Sequence, residues 1–168
     1  VKLLGKYLVT EGYEVPSDAV SSPRFSDLSS KSNKELLEYA AVVADAGVFA
    51  GSNGKLLAGD PITRENMAIV LVRMVNTLKD VSLEEYVDGQ DFTKEVKDLN
   101  AAKAEARSAI NVLDFYDITT ATNFLPKNTV TRGQFASFLN NVINADFSGA
   151  EATTGTIKAI NATTVEVT

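Results

Sequence analysis

The sequence predicts a mainly α-helical chain, built from tandem helical repeats and followed by the start of a β domain. Three observations carry this. A helix-opening segment, Ile62-Thr63-Arg64-Glu65-Asn66-Met67-Ala68, returns as Val130-Thr131-Arg132-Gly133-Gln134-Phe135-Ala136. The apolar positions after it superpose as well: Met67, Val70, Leu71, Met74 and Val75 on Phe135, Phe138, Leu139, Val142 and Ile143. After Asp146 the composition turns small and polar, and then alternates in the manner of a strand. Internal repetition of this kind points to a modular array.

The first element is a helix. Leu3, Leu4, Tyr7 and Leu8 share the paired spacing of Val70, Leu71, Met74 and Val75, with Gly12 as its stop. No Thr-Arg pair precedes it, so residues 1–24 read as the tail of a first, truncated repeat plus a Pro- and Ser-rich connector. The second repeat, 25–85, opens at Phe25-Ser26-Asp27. Ser32 and Glu35 have capping-box spacing, and Leu36, Tyr39, Ala40 and Val43 form one stripe. Gly47 suits a left-handed terminator. A loop holding Gly51, Gly54 and Gly59 leads to a second helix, from Thr63 to about Lys79.

The third repeat, 86–146, is expected to follow the same order. Tyr86-Val87-Asp88 stands for Phe25-Ser26-Asp27, with a polar insertion from Gly89 to about Asp98. A helix carries Ala102, Ala106, Ala109, Ile110 and Leu113, and Asp117-Ile118 stands for Gly47-Val48. Thr131 and Gln134 form another capping box before a helix running to about Ala145. In 147–168, Ile157, Ala159, Val165 and Val167 alternate with polar residues as in the first strands of a further domain. Two strands alone are marginal, so the chain is expected to continue.

Composition narrows the function. The 168 residues include 16 Lys and Arg against 22 Asp and Glu, a formal net charge of −6, with basic residues scattered. Duplex binding needs a dense basic face, and attraction to an anionic membrane needs a polybasic segment. Nucleic acid and membrane are therefore not expected partners. Cysteine, histidine and tryptophan are absent, which removes thiolate catalysis, Cys/His zinc sites and Ser-His-Asp triads. No cofactor is expected. No stretch approaches the roughly 20 apolar residues of a membrane span.

The duplicated arginine is the main chemical signal. With Thr63 and Thr131 as N-caps, Arg64 and Arg132 occupy the first helical position, where the helix dipole opposes a cation by up to roughly 1 kcal/mol. One reading is an anionic ligand: a guanidinium takes a carboxylate bidentately, and free first-turn N–H groups add donors. Gly47, Gly51 and their loop would then shape the groove. The other reading is an internal ion pair, with Asp27 or Asp88 as the acid. Asp88-Gly89-Gln90-Asp91 lacks the alternating acids and final glutamate of a calcium loop and reads as solvated. So does the basic stretch Lys94, Lys97, Lys103 and Arg107. A hydrolase using two of Asp27, Asp45, Asp60 and Asp88 and a helix-turn-helix DNA reader are the competing function classes.

The ordered set of Phe25-x-Asp27, Gly47-Val48, Leu56-Leu57 and Ile62-Thr63-Arg64-x-x-Met67-Ala68 resembles the S-layer homology family. A second set does too: Tyr86-x-Asp88, Asp117-Ile118, Phe124-x-Pro126 and Val130-Thr131-Arg132-x-x-Phe135-Ala136. The chain departs from the family pattern in lacking tryptophan, in Asp117 for the turn glycine, in Leu57-Ala58, and in the missing front of the first repeat. The resemblance implies a pseudo-threefold array of repeats, followed here by an Ig-like region. It implies a non-catalytic module in a secreted surface-layer protein of a Gram-positive cell wall. The implied ligand is a secondary cell-wall polymer, a glycan bearing pyruvylated N-acetylmannosamine. Self-association in a surface lattice would use the rest of the protein. The ligand contacts implied are Arg64, Arg132, Thr63, Thr131, Gly47, Gly51, Asp27 and Asp88.

Overall fold

The computed structural model describes residues 1–153, and these are mainly helical. The helices are α1 (Lys2–Thr10), α2 (Lys34–Asp45), α3 (Arg64–Lys79), α4 (Leu83–Asp88), α5 (Ala104–Phe115) and α6 (Arg132–Asn144), with a 3-10 turn at Leu99–Ala101 before α5. Residues 148–153 are also helical. The strand expected around Ile157 to Val167 lies outside the described residues. No helix among the described residues is long and apolar enough to cross a membrane. The chain divides into two compact units, Val1–Pro61 and Ile62–Thr168.

In the first unit α1 packs on α2. Leu4, Leu8, Leu37, Ala40, Ala41, Val43 and Val48 are buried in its core. The approach is close at Gly5, where a Cβ would lie 2.6 Å from the Cβ of Tyr39. The cap of α2 differs from expectation. The helix starts at Lys34, so Asn33 is the N-cap and its side chain accepts the N–H of Leu36. Ser32 is one residue too early, and its hydroxyl accepts the N–H of Ser29 instead. Gly47 has φ 73, the left-handed conformation expected of it. The connector is tied down by Arg24, which donates to both carboxylate oxygens of Asp45 (2.8 and 2.9 Å) and to Asp18 (2.8 Å).

In the second unit α3 is buried on nearly every side, from Met67 to Val75. An all-round apolar helix is a core helix. It packs on α4, α5 and α6. Ala106 and Ala109 on α5 are buried, in keeping with the close approach their small size allows. An aromatic group ties α4 and α5 to the chain after α6. Phe115 meets Tyr86, Phe92 and Tyr116 edge-on, and Tyr116 meets Phe147 at 4.7 Å. Burial pushes the Tyr116 hydroxyl up to about 12, and its oxygen is buried without a hydrogen-bond partner.

Tyr86-Val87-Asp88 does not open a repeat. It is the end of α4, whose N-cap Ser82 accepts the N–H of Glu85. The position equivalent to Asp27 is Asp98. Asp27 accepts the N–H groups of Leu56 and Leu57 at 2.8 and 2.9 Å. Asp98 accepts those of Phe124 and Leu125 at the same two distances. Each carboxylate therefore fixes the turn that leads towards a Thr-Arg helix start.

Candidate functional site

The two Thr-Arg helix starts are built alike and surrounded differently. Thr63 caps α3 by accepting the N–H of Asn66, and Thr131 caps α6 by accepting that of Gln134. Gln134 returns the bond to the N–H of Thr131, completing the expected capping box. The segments before the two helices pair, with Val130 N–H donating to Ile62 O at 2.8 Å. Arg64 and Arg132 each take the first helical position.

At α3 the first-turn N–H groups are not free for a ligand, contrary to the sequence reading. Arg64 N donates to Asn128 O at 2.8 Å, and Glu65 N to Pro126 O at 3.0 Å. The reason is tertiary: the loop held by Asp98 lies across the helix start and supplies the missing acceptors. Glu65 reinforces this. Its buried carboxylate accepts Lys103 N–H at 2.9 Å and Lys127 Nζ at 2.8 Å. Burial alone raises its pKa, but these partners outweigh it and leave the carboxyl below its usual value. Since Lys103 caps α5 without a side-chain bond of its own, Glu65 serves as that helix's acceptor. Arg107 donates to Ala102 O. Lys94, Lys97, Lys103 and Arg107 are all exposed, as expected of a solvated face, and Lys103 and Arg107 also make bonds within the fold.

The Arg64 side chain is half-buried. Its Nε donates to Phe124 O, and its guanidinium carbon lies 4.8 Å from the centre of the Phe124 ring and 5.2 Å from that of Phe138. Both are cation–π distances. Desolvation by burial pulls its pKa down and the charge of Asp98 opposes the shift. The group remains a cation at neutral pH. Among the described residues no carboxylate forms an ion pair with Arg64. Its two Nη nitrogens make no hydrogen bond there either. Arg132 is exposed and has no ion pair among the described residues.

The other expected contacts have structural work. Asp27 spends both oxygens on Leu56 and Leu57, and these N–H groups hold its pKa below the usual carboxylate range. Gly51 has φ 72, and a Cβ there would collide with Lys55 O. Only glycine fits that turn. Gly47 is likewise left-handed, with open space around it. Asp88 is exposed and lines a cleft of about 210 Å³ together with Glu84, Asp91, Phe92, Lys94 and Asn111. No cluster of metal-ligating side chains occurs among the described residues. Asp45, paired with Arg24, has a lowered pKa. A glycosidic general acid needs the opposite shift, and neither Asp27 nor Asp45 has it.

Sequence reasoning missed Asp98, Glu65 and Asp114. Asp114 is buried and accepts the N–H groups of Glu95 and Val96, thereby placing the strand of chain that leads to Asp98. The available signal was Val96-x-Asp98, an apolar-x-Asp unit directly ahead of α5.

Residues 24–68 match the family model of the S-layer homology domain. No curated protein matches the chain. Residues 24–68 are therefore an S-layer homology region, a cell-wall anchoring module of the bacterial surface layer.

Proposed function

We propose that this chain, through its S-layer homology region and the repeat that follows, attaches a secreted surface-layer protein to an anionic polymer of a Gram-positive cell wall. The ligand is a glycan bearing pyruvylated N-acetylmannosamine, and Arg64 binds its carboxylate. Arg132 is the second cation of the same kind, and self-association in a lattice belongs to other parts of the protein. The observation that supports this reading is the state of Arg64. Its charge is partly desolvated against two phenyl rings and forms no ion pair among the described residues, while the nearby Asp98 spends both oxygens on the N–H groups of Phe124 and Leu125. A desolvated guanidinium with open Nη groups favours an anion, and a carboxylate accepts both in parallel. The ligand's hydroxyls and the loop backbone supply the remaining contacts.

The test is binding of the chain to purified wall polymer before and after removal of the pyruvyl groups. Arg64→Ala should weaken binding about tenfold or more, the usual worth of a charge-assisted bond, and Arg64→Lys should recover only part of it. Arg132→Ala should weaken binding several-fold, on the order of a partly exposed contact. Unchanged affinity in both alanine variants and in the double variant would overturn the reading.

A further inference from the structure

Asn53 and Gly54 are the central pair of a tight turn. Ser52 and Lys55 flank them and exchange both backbone hydrogen bonds at 2.9 Å. Asn53 has φ 50 and Gly54 has φ 76. Positive values at both places are what a type I′ turn requires, and Asn-Gly is the pair that accepts them with least strain. The turn is also a point of attachment. Gly54 O accepts the Ser26 N–H at 2.8 Å and the Ser26 hydroxyl at 3.2 Å. It thereby reinforces the clamp beside it, in which Asp27 holds Leu56 and Leu57.

The same pair is set up for a reaction within the backbone. Asn53 is exposed. Among the described residues neither its side-chain amide nor the Gly54 N–H has a hydrogen-bond partner. A Cβ added at Gly54 would find nothing nearer than the Ser26 hydroxyl oxygen, at 4.0 Å. The Asn53–Gly54 peptide thus has room to turn towards the Asn53 side chain. Two other exposed asparagines in loops, Asn123 and Asn128, are followed by Phe124 and Thr129, whose side chains crowd the next backbone nitrogen. The Phe124 N–H is also held, by Asp98 at 2.8 Å.

We propose that Asn53-Gly54 is a self-modification site. The Gly54 nitrogen loses its proton to solvent and attacks the amide carbon of the Asn53 side chain. A C–N bond forms there, the bond to the side-chain nitrogen breaks, and that nitrogen takes a proton and leaves as ammonia. The product is a five-membered cyclic imide. Water then adds to one of the two imide carbonyl carbons and opens the ring. One opening leaves aspartate at position 53. The other leaves isoaspartate, in which the backbone runs through the side chain and is one methylene longer. Either product carries a carboxylate where a neutral amide stood. The longer backbone no longer fits a turn closed by Ser52 and Lys55, so Gly54 O moves off Ser26 and the loop that Asp27 holds is loosened.

The test incubates the folded full chain in mildly alkaline buffer and follows its peptides by mass spectrometry. The peptide holding Asn53 should gain the mass of an OH-for-NH2 exchange before those holding Asn123 or Asn128, and should resolve into two isomers. Asn53→Gln should stay unmodified, because its ring would be six-membered and closes slowly. In the isoaspartate form the Ser26 N–H should exchange with solvent about fivefold faster or more, the usual net worth of one hydrogen bond. Asn53→Asp carries the charge without the extra backbone atom, and should protect Ser26 as the parent does. Modification of Asn53 no faster than that of Asn123 and Asn128 would overturn the site. Parent-like exchange of Ser26 in the isoaspartate form would overturn its effect on the turn. Equal loss of protection in Asn53→Asp would assign that effect to charge and overturn the backbone argument.

Discussion

Asp27 and Asp98 each clamp two consecutive backbone N–H groups. At Asp27 the two bonds favour the charged form. Asp27, Asp45 and Glu65 all have folded pKa values below their ordinary ones. Their contribution is therefore complete above the unfolded values, about 3.9 for Asp and 4.3 for Glu. It is lost as pH falls through the lower folded values. The melting temperature should hold between about pH 7 and 5 and fall steeply below about pH 4. Asp27→Asn, which keeps only one acceptor oxygen, should flatten part of that acid limb. Calorimetry across this range checks both. The sequence set Asp27 at a repeat opening but placed its counterpart at Asp88. Two residues preceded by an aromatic and a spacer look alike in one dimension, and only the bond to a distant turn separates them.

At the scale of elements, α1 and α2 show how little room a helix contact leaves. A methyl at Gly5 would collide with backbone-near atoms of Tyr39, at 2.6 Å from Cβ and 3.0 Å from Cα. Alanine is the better helix former by about 1 kcal/mol, yet Gly5→Ala should destabilise the first unit by about 1–3 kcal/mol, the usual cost of overpacking. Urea unfolding of the two proteins decides the sign. The periodicity of α3, α5 and α6 was plain in the sequence because apolar residues recur at helical spacing and Thr caps sit ahead of two of the three. The helix α4 was not. Its six residues are too few for a periodic signal, and Tyr86 there serves the aromatic group around Phe115 rather than a repeat opening.

For the whole molecule, a net charge of −6 sets the long-range field. On the proposed function, an anionic polymer would be repelled at a distance and attracted at the arginines. Added salt screens the repulsion beyond about 8–10 Å at ordinary ionic strength. Raising salt from low to physiological levels should therefore speed association, while the short-range contact at Arg64 keeps dissociation nearly constant. Surface plasmon resonance on immobilised polymer separates the two rates. Association that slows with salt would point to a locally positive face. The boundary between the compact units falls at Pro61, inside the span of the second repeat, and α3 shares its core with α5 and α6. The duplicated stretch of sequence is thus not the packing unit.

The sequence by itself determined the helical class, the Thr-capped starts of α3 and α6, the left-handed terminator Gly47, and the place of both arginines. These are local properties, set by spacing, caps and backbone preference within a few residues. Tertiary structure alone decided that Arg64 rests on Phe124 and Phe138 while Arg132 faces solvent, though the two share the same motif. It also decided that the loop after Phe124 fills the α3 first turn. Those outcomes depend on which loop reaches which helix. Such long-range closure is fixed by packing of the whole unit and leaves no mark in the spacing of neighbouring residues.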